Sequence, residues 1–489
     1  MAATDVEQQQ LLIGGEWTDA SGGGTFERTD PFTGEAVTVA AAGGRDDAIA
    51  ACDAAAAAFA AWSSTPPGER RTLLSKAADL LMERAPEIAG IMTEEVGGTF
   101  GWGMFNCDLA ARMLREAAAQ TYMVTGEVIP SDVPGSLAMG VRVPAGVVVG
   151  MAPWNAPVIL STRAVATPLA YGNTVVLKAS EHCPRTHAAV ARAIADAGVP
   201  AGALNLVTHS AQDAAEVIDA LIAHPAVRRV SFTGSTRVGR IVAMKCAEHL
   251  THCLLELGGK APQVVLPDAD LEAAADAASF GAFMNSGQIC MSTERIVADV
   301  SVAGQLASKL AERAQALTTG DPRDQGTMVG PLVDDAGREH VLALLKDARA
   351  MGATVLTGGE HRGNNVVAPA VVIGVTPAMR LYHEESFGPV VAIVPVDGDD
   401  EAVLVANDTE YGLAAAVFGE DVDHALEIAH RIESGICHVN SSTVHDEPQM
   451  PFGGVKASGW GRFGGSAALQ EFTELRWMTV QQAPRHYPI

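Results

Sequence analysis

Short apolar runs alternate with helix-like stretches through the middle of this chain of 489 residues. The first four apolar runs are 147–150, 174–177, 204–207 and 229–232. The helix-like stretches between them are 158–171, 186–197 and 213–223. This alternation predicts βαβ units around a parallel sheet, an α/β fold class in which ligands gather at the carboxyl ends of the strands. A nucleotide or dinucleotide is therefore the expected ligand.

A second alternating block begins near residue 271 and continues to about residue 432. Because the chain is longer than one hydrophobic core usually supports, each block is expected to form its own α/β domain. The ligand site is then expected in the cleft between the two domains. Two extended segments, 121–143 and 472–480, belong to neither block. They either pair as an oligomerisation arm or form an isolated edge flap.

The residues before the first block indicate short, mainly antiparallel strands over 11–39 and helices at 45–62, 69–84 and 105–123. The alanine-rich composition of the first helix is typical of helix packing. A glycine-rich loop is predicted over 97–103, in front of the third helix.

The composition excludes several classes of partner. With a net charge of −25 and a pI near 4.9, the chain lacks the clustered basic residues that bind nucleic acid or an anionic membrane surface. No apolar run reaches the ~20 residues that a membrane helix needs, and the first ten residues have no features of a secretory signal. The seven cysteines form no C-x-x-C pair and no zinc pattern, so no metal is expected. A cytoplasmic protein is the expectation.

Cys290 follows the small-residue run 285–289 and precedes the apolar stretch 295–297. A free cysteine is usually a buried, apolar side chain. Two upstream residues favour a chemical role instead, because Glu256 supplies a base and Asn155 an amide donor, which acyl chemistry on a thiolate requires. Taken alone, a turn asparagine and a loop glutamate are most often structural.

Two segments at predicted strand ends have the features of a dinucleotide site. The segment 232–239 leads from a strand into a helix, whose first backbone N–H groups suit a pyrophosphate. Its Gly-x-x-x-x-Gly spacing departs from the standard pattern and is weak evidence alone. Lys178 and Glu181 end another strand, where they suit a ribose, and a carboxylate there favours NAD over NADP. The alternative is an exposed charge pair.

Seven motifs, in this order and approximate spacing, resemble those of the aldehyde dehydrogenase superfamily over nearly the whole chain. They are 153–155, 178–181, 232–239, 256–260, 287–290, 385–389 and 451–456. The resemblance implies NAD, or NADP, as the cofactor and a homodimer or homotetramer as the assembly. It also implies a Rossmann-type NAD-binding domain, an α/β catalytic domain and a β oligomerisation arm. Their expected bounds are 1–120 and 145–257, 258–460, and 121–144 and 461–489 respectively.

The resemblance implies a role for each matching residue. Cys290 is the nucleophile, Glu256 the general base and Asn155 the oxyanion donor. The residues implied for the adenosine ribose, the pyrophosphate, the nicotinamide and their surroundings are Trp154, Lys178, Glu181, Gly234, Ser235, Gly239, Leu257, Glu385 and Phe387. In the implied reaction, a thiohemiacetal gives up a hydride to become a thioester, which water activated by Glu256 hydrolyses to the carboxylic acid.

One position departs from the family pattern. Phe463 follows Gly461 and Arg462, where many members carry a second glutamate. Glu256 is therefore expected to act without a relay through such a residue. Because Glu256 itself is present, hydrolysis is favoured over acyl transfer to coenzyme A.

The segments 155–163, 177–185 and 284–294 resemble the branch that oxidises aromatic aldehydes of the salicylaldehyde, vanillin and benzaldehyde kind. Arg163 falls where many aliphatic-aldehyde members have an aromatic side chain, and an arginine there suits a ring hydroxyl, alkoxy or carboxylate group. The alternative is a buried arginine paired with an acid. The other residues implied for the pocket wall are Trp102, Ile159, Leu160, Met284 and the segment 444–446.

The function predicted from these features is NAD-dependent oxidation of an aromatic aldehyde to its acid, in aromatic catabolism. The alternatives are an aliphatic aldehyde or succinic semialdehyde dehydrogenase, a thioesterase or esterase that acts at Cys290 without cofactor, and a non-catalytic binding protein.

Overall fold

The computed structural model describes residues 6–482 and 484–489. Its helices are α1 (Arg45–Ser64), α2 (Pro67–Glu83), α3 (Ala85–Val96), α4 (Phe100–Gln120), α5 (Pro157–Ala170), α6 (Pro184–Asp196), α7 (Ala214–Ala223), α8 (Thr236–Glu248), α9 (Leu271–Phe283), α10 (Val300–Ala316), α11 (Asp335–Ala350), α12 (Arg380–His383), α13 (Asp399–Asn407), α14 (Val422–His430) and α15 (Ala468–Phe472). Its strands are β1 (Glu7–Gln9), β2 (Leu11–Ile13), β3 (Glu16–Thr18), β4 (Thr25–Thr29), β5 (Ala36–Ala41), β6 (Gly126–Ile129), β7 (Ser136–Pro144), β8 (Val147–Met151), β9 (Thr174–Lys178), β10 (Leu204–Val207), β11 (Val227–Thr233), β12 (His252–Glu256), β13 (Ala261–Val265), β14 (Thr293–Asp299), β15 (Thr354–Thr357), β16 (Ala370–Ile373), β17 (Val390–Val396), β18 (Ala414–Phe418), β19 (Ile436–Val439), β20 (Gly459–Trp460) and β21 (Thr473–Gln481). Across these described ranges, no helix combines the length and the apolar composition needed to span a bilayer.

The largest sheet has five parallel strands at its centre, in the order β12–β11–β8–β9–β10. The chain runs outward from β8 to β9 and β10, and then returns to place β11 and β12 on the other side of β8. In doubly wound folds, dinucleotides bind outside the carboxyl ends of the strands at such a reversal. The predicted α/β class is thus confirmed, and the crevice beyond β8 and β11 is the expected ligand position.

The second large sheet has the order β15–β16–β17–β14–β13–β18–β19 and is parallel except for β15. Helices α9 and α10 pack on it through a core of alanine, valine and leucine side chains. β14 begins three residues after Cys290 and β13 begins five residues after Glu256, so both predicted reactive residues lie at the junction of the two sheets.

The two extended segments pair with each other. β21 lies antiparallel to β7, from Thr473 opposite Pro144 to Gln481 opposite Ser136, and β6 continues the sheet on the other side of β7. Large apolar side chains on this three-stranded sheet point to solvent, with Trp477 81% and Val128 73% exposed. The oligomerisation role of this sheet stays a prediction.

The region of the predicted glycine-rich loop is partly helical. α3 was not predicted, and α4 begins at Phe100, because the hydroxyl of Thr99 caps it by accepting from the backbone N–H of Trp102 at 3.3 Å. Gly103 lies inside the helix against Ala89, where a Cβ would come within 2.7 Å of the Ala89 Cα. This glycine therefore serves close packing between α3 and α4.

The end of the chain differs from the expected boundary at residue 460. β20 was placed with the catalytic domain, but it pairs with β12 in the eight-stranded sheet, and the indole of Trp460 donates to the carbonyl of Cys253 at 2.8 Å. Gly459 allows this approach, since a Cβ there would lie 2.0 Å from the carbonyl oxygen of Leu255. Residues 461–472 were placed in the arm, yet Phe472 is buried in the main core.

Candidate active site

Cys290 lies between a strained turn and β14. Residues 285–287 all have left-handed backbone, with φ of 50°, 57° and 73°, a conformation that costs energy in residues other than glycine. A Cβ on Gly287 would lie 2.0 Å from the carbonyl oxygen of Gly388. Only glycine therefore lets this turn approach the 385–389 loop so closely.

The thiol of Cys290 is protonated in the resting protein at neutral pH. Burial raises its pKa to about 12, the carboxyl groups of Glu256 and Glu385 act in the same direction, and the charge of Arg163 opposes them. Since only the thiolate is a strong nucleophile, attack by Cys290 requires a group that accepts its proton.

Glu256 is the last residue of β12 and has the properties of that acceptor. It is 2% exposed, and neither carboxyl oxygen has a hydrogen-bond partner among the described residues. Burial raises its pKa well above the usual value, against the opposing charges of Arg163 and Arg462. A carboxyl group whose pKa is raised in this direction is better suited to accept protons near neutral pH.

Asn155 connects the loop after β8 to the turn before Cys290. Its side-chain amide donates to the carbonyl of Gln288 at 3.0 Å. The backbone carbonyl of Asn155 accepts from the Trp102 indole at 3.2 Å and from the Asn285 side-chain amide at 2.9 Å. An amide donor is thereby fixed beside Cys290, where an oxyanion would develop.

Cys290 and Asn155 line one cavity of about 600 Å³, a size typical of small-molecule sites. The predicted wall residues Trp102, Ile159, Leu160 and Arg163 and the segment 444–446 also line it. Met284 does not; the structure places it in a neighbouring groove.

Sequence reasoning missed three aromatic side chains of this cavity, Phe105, Phe280 and Phe452. Phe105 stacks on Trp102, with ring centroids 5.4 Å apart. The signal for Phe105 was its spacing of three residues from Trp102, which puts two side chains on the same face of a helix. Trp102, however, had been assigned to the loop 97–103, and the helix was predicted to begin only at residue 105.

Arg163 is both a residue of the cavity wall and a buried arginine paired with an acid, the two alternatives given above. Its guanidinium forms an ion pair with Asp446 and lies 4.1 Å from the centre of the Phe452 ring. It is only 7% exposed and yet lines the cavity. Its charge is therefore balanced before any substrate enters.

The predicted ribose ligands lie where β9 ends. Burial lowers the pKa of Lys178, and Glu181 opposes that shift. Burial alone would raise the pKa of Glu181, but Lys178 and His182 outweigh it and lower the pKa. Trp154, from the neighbouring loop, contacts both the His182 ring and the Phe387 ring edge-on, at 5.9 Å and 5.6 Å.

The predicted pyrophosphate segment forms the start of α8. Ser235 is its N-cap, with a side chain that accepts from the Val238 N–H. A Cβ on Gly239 would lie 2.4 Å from the Leu257 side chain, so this glycine brings α8 against the segment after β12. The N–H of Gly234 donates to the carbonyl of Glu256 at 3.0 Å, which joins this turn to the proposed base.

Glu385 accepts from the N–H of Gly259 at 2.9 Å. A Cβ on Gly258 would lie 2.5 Å from the other carboxyl oxygen of Glu385, so the glycine leaves the space that this carboxyl group occupies. Burial, together with the negative charge of Glu294, raises the pKa of Glu385 to about 8.

A buried ion pair positions the loop that carries Glu385 and Phe387. The ammonium group of Lys260 lies 2.5 Å from the Glu294 carboxylate and 2.6 Å from the Glu384 carbonyl. The same carboxylate accepts the backbone N–H groups of residues 386 and 387. Lys260 and Glu294 lie in the segments 256–260 and 284–294, which carried the family resemblance, but no pattern in the sequence indicated that they pair.

Comparison with known proteins gives concordant results. The model of the aldehyde dehydrogenase family matches residues 17–478. A vanillin dehydrogenase of Pseudomonas fluorescens is 54% identical over 98% of this chain and 99% of its own. A salicylaldehyde dehydrogenase of Pseudomonas putida is 44% identical over the same shares. A crystal structure of a salicylaldehyde dehydrogenase from Pseudomonas putida G7, complexed with salicylaldehyde, superposes with a TM-score of 0.97 at 43% identity, covering 99% of this chain and 100% of that one.

Proposed function

The chain belongs to the aldehyde dehydrogenase family, and on this basis we propose that it oxidises aromatic aldehydes to carboxylic acids with NAD as the hydride acceptor. The observation that carries the proposal is the cavity in which the Cys290 thiol and the Asn155 amide lie among aromatic side chains. Full-length similarity to a vanillin and a salicylaldehyde dehydrogenase supports the substrate class.

In the proposed mechanism, Glu256 takes the proton of the Cys290 thiol, directly or through a water molecule, and the thiolate attacks the aldehyde carbon. The raised pKa of Glu256 makes this carboxylate a better proton acceptor, and the raised pKa of Cys290 is the reason that the thiol needs one. The amide of Asn155 donates to the oxyanion of the thiohemiacetal. Losing one such donor typically costs about 10²- to 10³-fold in rate.

The same carboxylate serves the second half of the reaction. After the hydride has left, Glu256 first releases the thiol proton to solvent. It then accepts a proton from the water that attacks the thioester, and the acid is released as the Cys290 sulfur leaves as thiolate. The absence of a hydrogen-bond partner for Glu256 within the described residues supports this role, because the carboxylate is not committed elsewhere.

The residues at the crevice fit a nicotinamide dinucleotide. The strand-order reversal at β8, the capped start of α8 and the close Gly239–Leu257 contact suit a pyrophosphate. Lys178 and Glu181 would hold the adenosine ribose, and Glu385 and Phe387 the nicotinamide end. NAD, when bound, supplies the hydride acceptor, and a carboxylate at Glu181 disfavours the 2′-phosphate of NADP.

The cavity favours an aromatic over a carboxylate-bearing substrate. Trp102, Phe105 and Phe280 offer ring faces and edges for stacking. Arg163 is already neutralised by Asp446, so a succinic semialdehyde carboxylate would gain little from it. A ring hydroxyl or alkoxy group, by contrast, needs only a hydrogen-bond donor.

We also propose the three-part organisation, with the cofactor part around the eight-stranded sheet and the catalytic part around the seven-stranded sheet. The exposed apolar face of the β6–β7–β21 sheet supports assembly into a homodimer or homotetramer. All seven cysteines are free thiols, which supports a reducing compartment, the cytoplasm.

The test is the initial rate of NADH and NADPH formation with benzaldehyde, salicylaldehyde, vanillin, propanal and succinic semialdehyde at matched concentrations. We expect the aromatic aldehydes with NAD to give the highest kcat/KM. Cys290→Ala should lose at least about 10³-fold in kcat, whereas Cys437→Ala, at another partly buried thiol, should keep wild-type rates. Retained oxidation by Cys290→Ala would refute the mechanism, and a preference for propanal would refute the substrate class.

A further inference from the structure

A second cavity, of about 710 Å³, lies outside the catalytic one. It runs between the start of α4, the end of α9, the end of α10 and the segment 327–329, and apolar side chains such as Leu317 and Met328 line it. Its charged residues Asp276 and Arg313 form an ion pair with each other at 2.5 Å. We call this cavity the apolar groove.

The apolar groove and the catalytic cavity share Trp102, Phe105 and Phe280. Phe105 is 43% and Phe280 44% exposed, although both are large apolar side chains. Aromatic surface left in water next to an apolar groove is typical of a binding site. These three side chains therefore mark the passage from the cavity to the groove.

The rest of the cavity rim is polar. Arg112, His445 and Glu447 line the cavity, are well exposed and are absent from the described lining of the groove. An apolar group that leaves the cavity would lose contact with apolar surface if it passed these residues. The path over Phe105 and Phe280 is the apolar exit.

We propose that the apolar groove is a second substrate subsite, which binds the distal hydrophobic group of extended aromatic aldehydes such as 4-alkoxybenzaldehydes. The proposal rests on the proposed function. An aldehyde carbon at Cys290 directs the opposite end of a benzene ring away from the thiol. A long para substituent must then leave the catalytic cavity, and the shared aromatic side chains lead it into the groove.

The energetic consequence is a dependence of kcat/KM on chain length. Transfer of one methylene from water to an apolar site gains about 0.8 kcal/mol, which corresponds to roughly a fourfold change in kcat/KM. In wild-type protein, kcat/KM should rise about fourfold per methylene from 4-methoxy- to 4-butoxybenzaldehyde, and should level off once the groove is filled.

The test compares wild-type protein with Ala316→Trp, which fills the groove from an exposed position at the end of α10. The measured quantity is the ratio of kcat/KM for 4-butoxybenzaldehyde to that for 4-methoxybenzaldehyde. This ratio should fall at least tenfold in Ala316→Trp. It should stay at the wild-type value in Gln315→Trp, the neighbouring exposed residue, which is not part of the groove lining.

A second variant, Met328→Asp, places a charge in the groove without filling it, and should lower the same ratio. An unchanged ratio in both groove variants, or no chain-length dependence in the wild type, would overturn the proposal. A change in oligomeric mass of Ala316→Trp would also overturn it, because the groove would then be an interface with a second copy. Absence of turnover with every short aromatic aldehyde would instead refute the proposed function.

Discussion

Glu385 is a side chain of the site whose ionisation lies close to physiological pH. Burial and the charge of Glu294 raise its pKa to about 8, so the carboxyl group is mostly neutral at pH 7 and ionised above pH 8. As a carboxylate it can accept hydrogen bonds from both hydroxyls of a ribose, whereas the neutral form has one acceptor fewer. The ionised form should therefore bind NAD more tightly.

We predict that the dissociation constant for NAD decreases about fivefold between pH 7 and pH 9, since only about a tenth of the group is ionised one unit below its pKa. Isothermal titration across this range measures it. Glu385→Gln should bind weakly at every pH and lose the dependence. Glu384→Gln is the matched control, because that exposed carboxylate pairs with Arg380 and should leave the pH profile as it is. A pH dependence that persists in Glu385→Gln would assign it to another group.

At the scale of elements, the Lys260–Glu294 pair joins three separate stretches of chain. Lys260 precedes β13, Glu294 lies in β14, and their partners belong to the loop between α12 and β17. Removing one member of a buried pair leaves an uncompensated charge, at a cost of about 3–5 kcal/mol, whereas removing both is far less costly.

We predict that Lys260→Met and Glu294→Gln each lower the free energy of unfolding by about 3 kcal/mol, and that the double variant recovers much of this loss. Affinity for NAD should stay about tenfold weaker in the double variant, because the N–H groups of residues 386 and 387 have lost their charged acceptor. Urea unfolding and NAD titration measure the two effects. Lys309→Met, which breaks an exposed pair with Glu272, should leave NAD affinity unchanged. Recovery of both stability and affinity would show that the pair serves stability alone.

The sequence predicted the elements whose pattern is local. β8, β9, β10 and β11 follow from continuous apolar runs, and α5, α6 and α7 from the stretches between them. α3 and the first turn of α4 were missed because the glycines of 97–103 indicated a loop, although Thr99 caps α4 locally. Gly103 is in fact a packing residue of α4 that contacts Ala89, and this contact is tertiary.

The same limit applies to the site. The motifs predicted the chain positions of Cys290, Glu256 and Asn155, and the resemblance implied their roles. The pairing of Arg163 with Asp446, 283 residues apart, has no local signal, and neither does the exclusion of Met284 from the cavity. Contacts of this range depend on the packing of whole elements.

For the whole molecule, the exposed face of the β6–β7–β21 sheet predicts self-association. Trp477→Glu would place a charge on that face, and burial of an unpaired charge in an interface is costly. We expect the variant to lower the mass measured by light scattering by at least half. Arg476→Gln, at the adjacent exposed position whose side chain points to the other face of the strand, should keep the wild-type mass. An unchanged mass for Trp477→Glu would remove the face that carries Trp477 from the interface.

The pairing of β7 with β21 also affects the order of events during synthesis. The guanidinium of Arg142 donates to the hydroxyl of Thr473, 331 residues further along the chain, at 3.0 Å. A ribosome must therefore complete the strands of both large sheets before β21 emerges, and until then β6 and β7 form only a two-stranded hairpin, which is marginal by itself. Nascent chains on one messenger RNA thus lack the finished β6–β7–β21 sheet, the proposed association surface, while their domains fold, and this order of synthesis would limit misassembly between neighbouring ribosomes.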